Sequence, residues 1–524
     1  MCGRRRGPPD PAAGVNELSS LVFRRENMPN VADRFRQHAA SRPDGIAVRT
    51  ASECITYGEL ARRSAAYGGM LRDAAVGVGD RVLLVAPTVP EFVVAYLGVQ
   101  LIGAIAITVN TMATAPEIGY VLDDSGARMV VAWHDAQDAA QRAAAERSLP
   151  VRVLTPGTDA ERPMIEPVSR HSTDTAVLLY TSGTTGKPKG VELTVGNLLE
   201  SARVFADLFE LTPEQRFGTG LPLFHVFGQT ACLLPVLHAG CSLSVLSPFD
   251  PRALVDMIRA HRLTVVAGVP TMWNALLHNT DGYGRNEFAS LRLALSGGAA
   301  LPGEVIHAFS KRFGCTIIEG YGLTESASVA TFNRPDDEQR VGSVGPALPG
   351  TAVEIRDPDG AALPAEAVGE VFLSGPTVMK GYWNRPEATA DILADGWLRT
   401  GDLGRLDVDG HLHIVGRAKD LIIRGGYNVY PTEVEEVLYR HPDIVEVAVI
   451  GVPHDHYGEE VAAVVATAPG VHLDPEALRA WAKQQLSAYK VPHRFAFVDE
   501  LPKGATGKIL KRAIDREQLF REGT

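Results

Sequence analysis

Through roughly the first four hundred residues, short apolar runs alternate with stretches whose apolar residues recur at helical spacing. Arg81-Val-Leu-Leu-Val-Ala86 predicts a strand, Glu91 to Ile102 a helix, and Met129-Val-Val-Ala132 another strand. Such alternation predicts an α/β fold with largely parallel sheets covered by helices. Between Val353 and Val415 the pattern changes. Val353-Glu-Ile-Arg356, Gly369-Glu-Val-Phe-Leu373 and His411-Leu-His-Ile-Val415 are strand-like runs separated by Asp-Gly and Gly-Pro turns, which predicts a small β subdomain. After Gly416 it changes again. A strand at Leu421-Ile-Ile423, a helix from Pro431 to His441 and a strand at Val445-Glu-Val-Ala-Val-Ile450 predict a compact α+β unit. The expected organisation is a large N-terminal domain over 28–416 and a small, mobile C-terminal domain over 417–524, divided at the linker Arg417-Ala-Lys-Asp420.

Three segments qualify this picture. Phe92 to Val109 is uncharged and touches the lower length limit of a membrane span. Gly103 divides it into a helix-like half and a β-rich half, Ala104 to Val109, and Gln100 lies inside it, so it reads as a buried helix feeding a strand with no membrane association. The start, Met-Cys-Gly-Arg-Arg-Arg-Gly-Pro-Pro-Asp, has no apolar stretch after its arginines, and residues 1–27 are expected to be a disordered tail. Ala136 to Ala145 reads as an exposed helix.

A length of 524 residues exceeds one ordinary core, in keeping with at least two domains. Lys and Arg number 51 against 62 Asp and Glu, a net charge of −11, so there is no overall basic field to gather nucleic acid. The five cysteines show no C-x-x-C spacing, which predicts neither a zinc site nor a disulfide framework and makes a reducing cytoplasm the default.

Candidate chemistry enters at Tyr180-Thr-Ser-Gly-Thr-Thr-Gly-Lys-Pro-Lys-Gly190, just after the apolar run Ala176-Val-Leu-Leu179. Glycines let backbone N–H groups approach an anion, and Thr181, Ser182, Thr184 and Thr185 add hydroxyl donors. The spacing of Gly183 and Gly186 and the proline after Lys187 exclude the P-loop G-x-x-x-x-G-K-[ST], so another nucleotide fold is needed. The string resembles the signature of the adenylate-forming superfamily. Gly320-Tyr-Gly-Leu-Thr-Glu325, Arg399-Thr-Gly-Asp402, Gly416-Arg-Ala-Lys-Asp420 and Pro502-Lys-Gly-Ala-Thr-Gly-Lys508 resemble further motifs of that family, in its order. The chain is similar to the acyl-CoA synthetase and fatty-acid–CoA ligase branch over nearly its whole length.

The resemblance implies ATP, Mg2+ and CoA as cofactors and a small carboxylic acid as substrate, with no nucleic-acid partner. A homodimer stays open, as does a carrier protein as alternative acyl acceptor. It implies that Lys508 bridges carboxylate and α-phosphate, that Thr324 donates to the α-phosphate, and that Glu325 with Thr184 holds Mg2+. Tyr321 would stack on adenine, beside the turn Gly297-Gly298-Ala299 and the segment Glu319, Gly320 and Gly322. Asp402 would take the ribose hydroxyls, with Arg417 near ribose or phosphate. Lys419 matches the hinge about which the small domain rotates between half-reactions, and Gly425-Gly426 matches a loop expected along the pantetheine tunnel.

The acyl pocket is expected around His225, Phe227, Gly228, Val269, Trp273, Ser296, Gly297, Gly322 and Leu323, most of them uncharged, with His225 steering the acyl group. No acidic residue lies between Leu221 and Gly240, where the peptide-synthetase adenylation domains of that superfamily place an aspartate for a substrate ammonium, and Val269 to Leu277 lacks the arginine that malonate-activating relatives use for a second carboxylate. Gly322 stands where acetate-specific relatives carry a blocking tryptophan. A medium- or long-chain fatty acid is therefore expected first, and a cinnamate-type aryl acid second. An acyl-AMP ligase loading a carrier protein and a non-catalytic sensor of acyl-CoA or adenylate are the rival readings.

Overall fold

The apolar runs become inner strands of two mixed sheets whose central neighbours are parallel. The computed structural model describes residues 30–157, 165–181, 187–338, 340–468, 470–504 and 506–520. The expected tail and the loop residues Ser182, Gly183, Thr184, Thr185 and Gly186 lie outside them.

One sheet runs, in spatial order, Thr331–Phe332, Ile317–Tyr321, Leu293–Ser296, Val265–Gly268, Arg216–Thr219, Ser242–Val245, Ile46–Arg49 and Cys54–Thr56. Its inner neighbours are parallel and its two edge strands antiparallel. The other runs Gly381–Tyr382, Lys189–Thr194, Thr175–Thr181, Ile105–Val109, Arg81–Val85, Met129–Trp133 and Val151–Leu154. The predicted strands at 81, 104 and 129 are thus adjacent members of one sheet. Every residue of the helix Pro90–Leu101 is buried. That explains its apolar run without a membrane, and among the described residues no helix is long and apolar enough to cross one.

The β subdomain is present. Ala352–Arg356, Gly369–Ser374, Trp397–Leu406 and Leu412–Arg417 form an antiparallel sheet. Beyond it Ile422–Arg424, Tyr427–Val429, Ile444–His454, Gly458–Thr467 and Arg494–Val498 build a separate sheet, with the helix Pro431–Leu438 against the strand Ile444–His454. The main apolar cluster ends at Leu412, and two others begin with Ile422 and Ala448. Hydrophobic packing therefore changes hands across the predicted linker.

One expectation needs correction. The alanine-rich segment is helical over Gln137–Ala145, but Ala140, Ala143 and Ala144 are fully buried against the second sheet. Alanine's small side chain lets the helix lie close to the strands, so the composition reflects packing rather than exposure.

Candidate active site

Parallel strands end together, and their carboxyl ends form a crevice. Here Leu293–Ser296 and Ile317–Tyr321 are neighbours with Ser296 opposite Glu319, so the turn Gly297-Gly298-Ala299 and the segment Gly320-Tyr321-Gly322 emerge side by side. Gly298 has φ +86, and a Cβ there would come within 2.7 Å of Lys508 Cε and 3.0 Å of its Nζ. Only a glycine lets the lysine lie across this turn. Gly320 is equally constrained, since a Cβ would strike the ring of Phe332, its cross-strand partner, at 2.0 Å.

Lys508 stands at the base of a tight hairpin from the small domain. Gly504 N–H donates to Lys508 O at 2.8 Å, Gly507 N–H to Gly504 O at 2.8 Å, and Leu510 N–H to Pro502 O at 2.7 Å. Burial, followed by the charge of Arg417, pushes the Lys508 ammonium down to about 8. Its Nζ makes no hydrogen bond or ion pair with a described residue.

Asp402 and Arg417 lie directly opposite on paired strands, and Arg417 Nε meets Asp402 Oδ1 at 2.9 Å. Tyr321 Oη donates to Asp402 Oδ2 at 2.6 Å. Burial raises the Asp402 carboxyl, while Arg417 and Tyr321 pull it back. Glu325 sits in a short 3-10 turn, Thr324–Ser326, and its Oε1 accepts a 2.8 Å hydrogen bond from Tyr382 Oη. Burial raises Glu325 as well, and the neutral phenol opposes this only in part. Thr324 occupies the same turn as Glu325, half-buried and beside Leu323.

Tyr382, which no local pattern announces, reaches Glu325 from the strand Gly381–Tyr382. Nor did it foretell how the phosphate loop is anchored. Its stems Tyr180-Thr181 and Lys187 continue paired strands, with Thr181 opposite Lys189. Tyr180 Oη donates to Asp124 at 2.8 Å, Asp124 also pairs with Arg385, Tyr120 Oη donates to Pro188 O at 2.7 Å, and Lys187 lies over the Tyr120 ring. The helix Ala115–Ser125 thus clamps both sides of the loop.

On the acyl side, Phe227 packs its ring 3.3 Å from where a Gly297 Cβ would stand, and Ser296 is fully buried with its hydroxyl unpartnered. Phe227 N–H donates to His225 Nδ1 at 3.2 Å. This leaves the ring proton on Nε2. Burial and the charge of Lys508 push His225 down to about 3, so it is neutral at physiological pH. Gly228 opens a π-helix, Gly228–Leu233, where a Cβ would strike Pro222 O at 2.3 Å; such helices recur at functional sites. Leu323 is half-buried beside Gly322.

Several assignments change. Trp273 is fully buried and lies edge-on to Phe309, which contacts Phe288 and Phe313, so its ring packs in the aromatic core. A Cβ on Gly322 would meet Ser328 backbone at 2.3 Å, so close backbone approach is itself a sufficient reason for the glycine. Ala327 and Ser328, at φ +50 and +70, form that tight segment. Glu319 turns its carboxyl to the Leu301 N–H at 3.0 Å and is pushed up to about 8 by burial and then Glu436, so only its backbone flanks the nucleotide segment. Val269 sits under the lysine hairpin, 3.5 Å from a Gly507 Cβ position. Gly425 and Gly426, at φ +57 and +84, make a hairpin turn packed on Tyr457 inside the small domain, and Lys419 is exposed in a 3-10 turn; this arrangement does not bring them to the cleft.

Comparison with known proteins agrees with this geometry. A family model described as AMP-binding enzyme matches residues 35–383, and the AMP-binding enzyme C-terminal domain matches 433–508. A feruloyl-CoA synthase of Amycolatopsis sp is 38% identical over 483 residues, covering 92% of this chain and 97% of that protein. A long-chain-fatty-acid–CoA ligase of Bacillus subtilis (strain 168) is 35% identical over 521 residues, covering 92% and 93%. The crystal structure of ATP-bound MatB from Rhodopseudomonas palustris superposes with a TM-score of 0.86 at 34% identity, covering 92% of this chain and 98% of that one. Motifs, fold and relatives agree: the chain belongs to the AMP-binding enzyme family, the adenylate-forming superfamily, and within it to the AMP-forming acid–CoA ligases that use ATP and CoA.

Proposed function

We propose that this ligase activates a medium- or long-chain fatty acid through an acyl-adenylate and passes the acyl group to CoA, with AMP and pyrophosphate released. The observation that carries the reading is the placement of Lys508. A cation without a bonded partner among the described residues is laid across Gly298, near the paired Asp402 and Arg417, where charge on an α-phosphate would develop.

The residues fit the nucleotide and its ion. Asp402 is prepaid with Arg417 and Tyr321 and can exchange the Tyr321 bond for ribose hydroxyls. Glu325 spends one oxygen on Tyr382, and its second is available to Mg2+, whose shell needs few protein carboxylates. Mg2+ would supply charge neutralisation of the triphosphate. His225, neutral with its proton on Nε2, serves as a hydrogen-bond donor to the acyl carbonyl and not as a base. For the thiol to reach that carbonyl, Lys508 must leave, and we place the division at 417–420 with the pivot at Lys419.

The substrate class rests on the uncharged wall formed by Phe227, Ser296, Gly297 and Leu323, next to a neutral His225. A charged tail would be buried there without a partner. A cinnamate-type aryl acid is the second reading. Favouring it, the Phe227 ring faces Gly297, and the hydroxyls of Thr230 and Ser328, 2.7 Å apart, lie behind Gly322. The test is ATP- and CoA-dependent pyrophosphate release across octanoate, palmitate, ferulate, benzoate and malonate. A maximum with a fatty acid supports the reading, a maximum with ferulate replaces it with the second, and thioester formation on a carrier protein in place of CoA overturns the acceptor.

A further inference from the structure

The small domain touches the large one through apolar contact and a few hydrogen bonds. Two of these come from one helix, Pro270–Asn279. Thr271 Oγ1 donates to Gly507 O at 2.8 Å, and Asn274 Nδ2 donates to Val445 O at 2.8 Å. A third, from Gly303 N–H to Glu436 Oε2, is longer at 3.4 Å. Residues three apart on a helix share a face, so Thr271 and Asn274 present two donors side by side toward the small domain.

The two acceptors are well chosen. The Gly507 carbonyl belongs to the planar peptide unit that carries the Lys508 N–H, so fixing its direction fixes the root of the lysine side chain. The hairpin's own hydrogen bonds keep it from yielding. Gly507 has φ +80, and a Cβ there would stand 3.0 Å from Thr271 Oγ1, so the glycine is what lets the hairpin seat on the threonine. Val445 lies at the start of the strand Ile444–His454, in another part of the small domain. One tethered point leaves a body free to pivot in any direction, and a second restricts it to turning about the line between the two.

We infer that Thr271 and Asn274 are positioning residues that hold the small domain where Lys508 faces the nucleotide turn, and that they set the balance between the two half-reactions. The inference rests on the reading of Lys508 given above. Adenylation uses the seated hairpin, and thioester formation requires it to leave. Both donors are neutral and add no titration of their own.

The test uses the full chain carrying Thr271→Val, Asn274→Ala or both, compared with the parent and with Lys508→Ala. Acid-dependent pyrophosphate exchange is measured with the panel acid turned over fastest, and thioester formation is measured from the corresponding synthetic acyl-adenylate and CoA. Each single variant should slow exchange about two- to tenfold, the range expected for one hydrogen bond. It should leave thioester formation from the adenylate equal or faster. Hydrogen–deuterium exchange of 502–510 with ATP present should rise in the double variant while its melting temperature stays within a few degrees of the parent. Equal losses in both half-reactions, or unchanged exchange and unchanged protection of 502–510, would overturn the inference. Retention of pyrophosphate exchange by Lys508→Ala would instead overturn the reading beneath it. Should no panel acid support exchange in the parent, that reading also fails, and the protection of 502–510 alone decides whether the two donors hold the hairpin.

Discussion

The two sides of the cleft hold their charges in opposite ways. On the large-domain side, Asp402 is buried with Arg417 at 2.9 Å and the Tyr321 hydroxyl at 2.6 Å, so its charge is compensated before anything binds. On the small-domain side, Lys508 is desolvated beside a second cation, Arg417, and a neutral His225; Asp402 offsets this only through space, and no bonded partner is present among the described residues. The difference separates recognition from reaction. A compensated carboxylate can trade one hydrogen bond for another with little change in energy, whereas an uncompensated cation gains most from an anion that appears beside it.

The sharpest way to break this contrast is Lys508→Ala. Acid-dependent pyrophosphate release should fall by about a hundredfold or more, while ATP affinity measured by titration stays within a few fold. Equal losses in both would mean that the hairpin binds rather than acts. Asp402→Asn attacks the other side. It leaves the Arg417 guanidinium without its carboxylate, and ATP affinity should fall by about 1.5–3 kcal/mol, roughly ten- to a hundredfold, with the maximal rate affected less. Gly298→Ala strains a positive φ and displaces Lys508 at the same time, so adenylation should drop about tenfold with ATP affinity nearly kept. Tyr382→Phe removes one hydrogen bond from Glu325 and should raise the Mg-ATP KM severalfold, about 1 kcal/mol, without changing the fold by circular dichroism.

The pH profile separates the two sides by sign. In the proposed role Lys508 acts as a cation, and its pKa is lowered to about 8, so kcat/KM for adenylation should be full below that value and decline above it. Bound triphosphate favours the cation, so the same limb in kcat should lie at higher pH. A limb that does not move between the two would mean that another group titrates.

Much of this arrangement was legible along the chain because it is local. The strand at 81, the buried helix after Glu91, the β subdomain and the motif glycines each declare themselves within a few residues, through periodicity or through a turn that only glycine can make. Gly298 and Gly507 are glycines for the reasons a sequence can suggest, close approach and positive φ. What escaped is contact between distant positions. Tyr382 reaches Glu325 across 57 residues and Thr271 reaches Gly507 across 236, and no local pattern encodes either meeting. Trp273 misled for the same reason. A tryptophan after Val-Pro-Thr-Met has the size of a pocket wall, and only the position of Phe309 decides that its ring turns into the core. Gly322 suggested room, but the answer lay in the backbone of Ser328.

The seam carries a consequence for how such proteins vary and can be rebuilt. The hydrogen bonds from Thr271 and Asn274 end on main-chain carbonyls of Gly507 and Val445, atoms that every sequence supplies. Apart from Gly507, Lys508 and Glu436, the small domain's side chains are therefore less constrained by this seam, provided the hairpin keeps its shape. A C-terminal domain grafted from a relative that keeps the Gly-Lys pair of the hairpin should dock on this helix without redesign, which makes the small domain an interchangeable part.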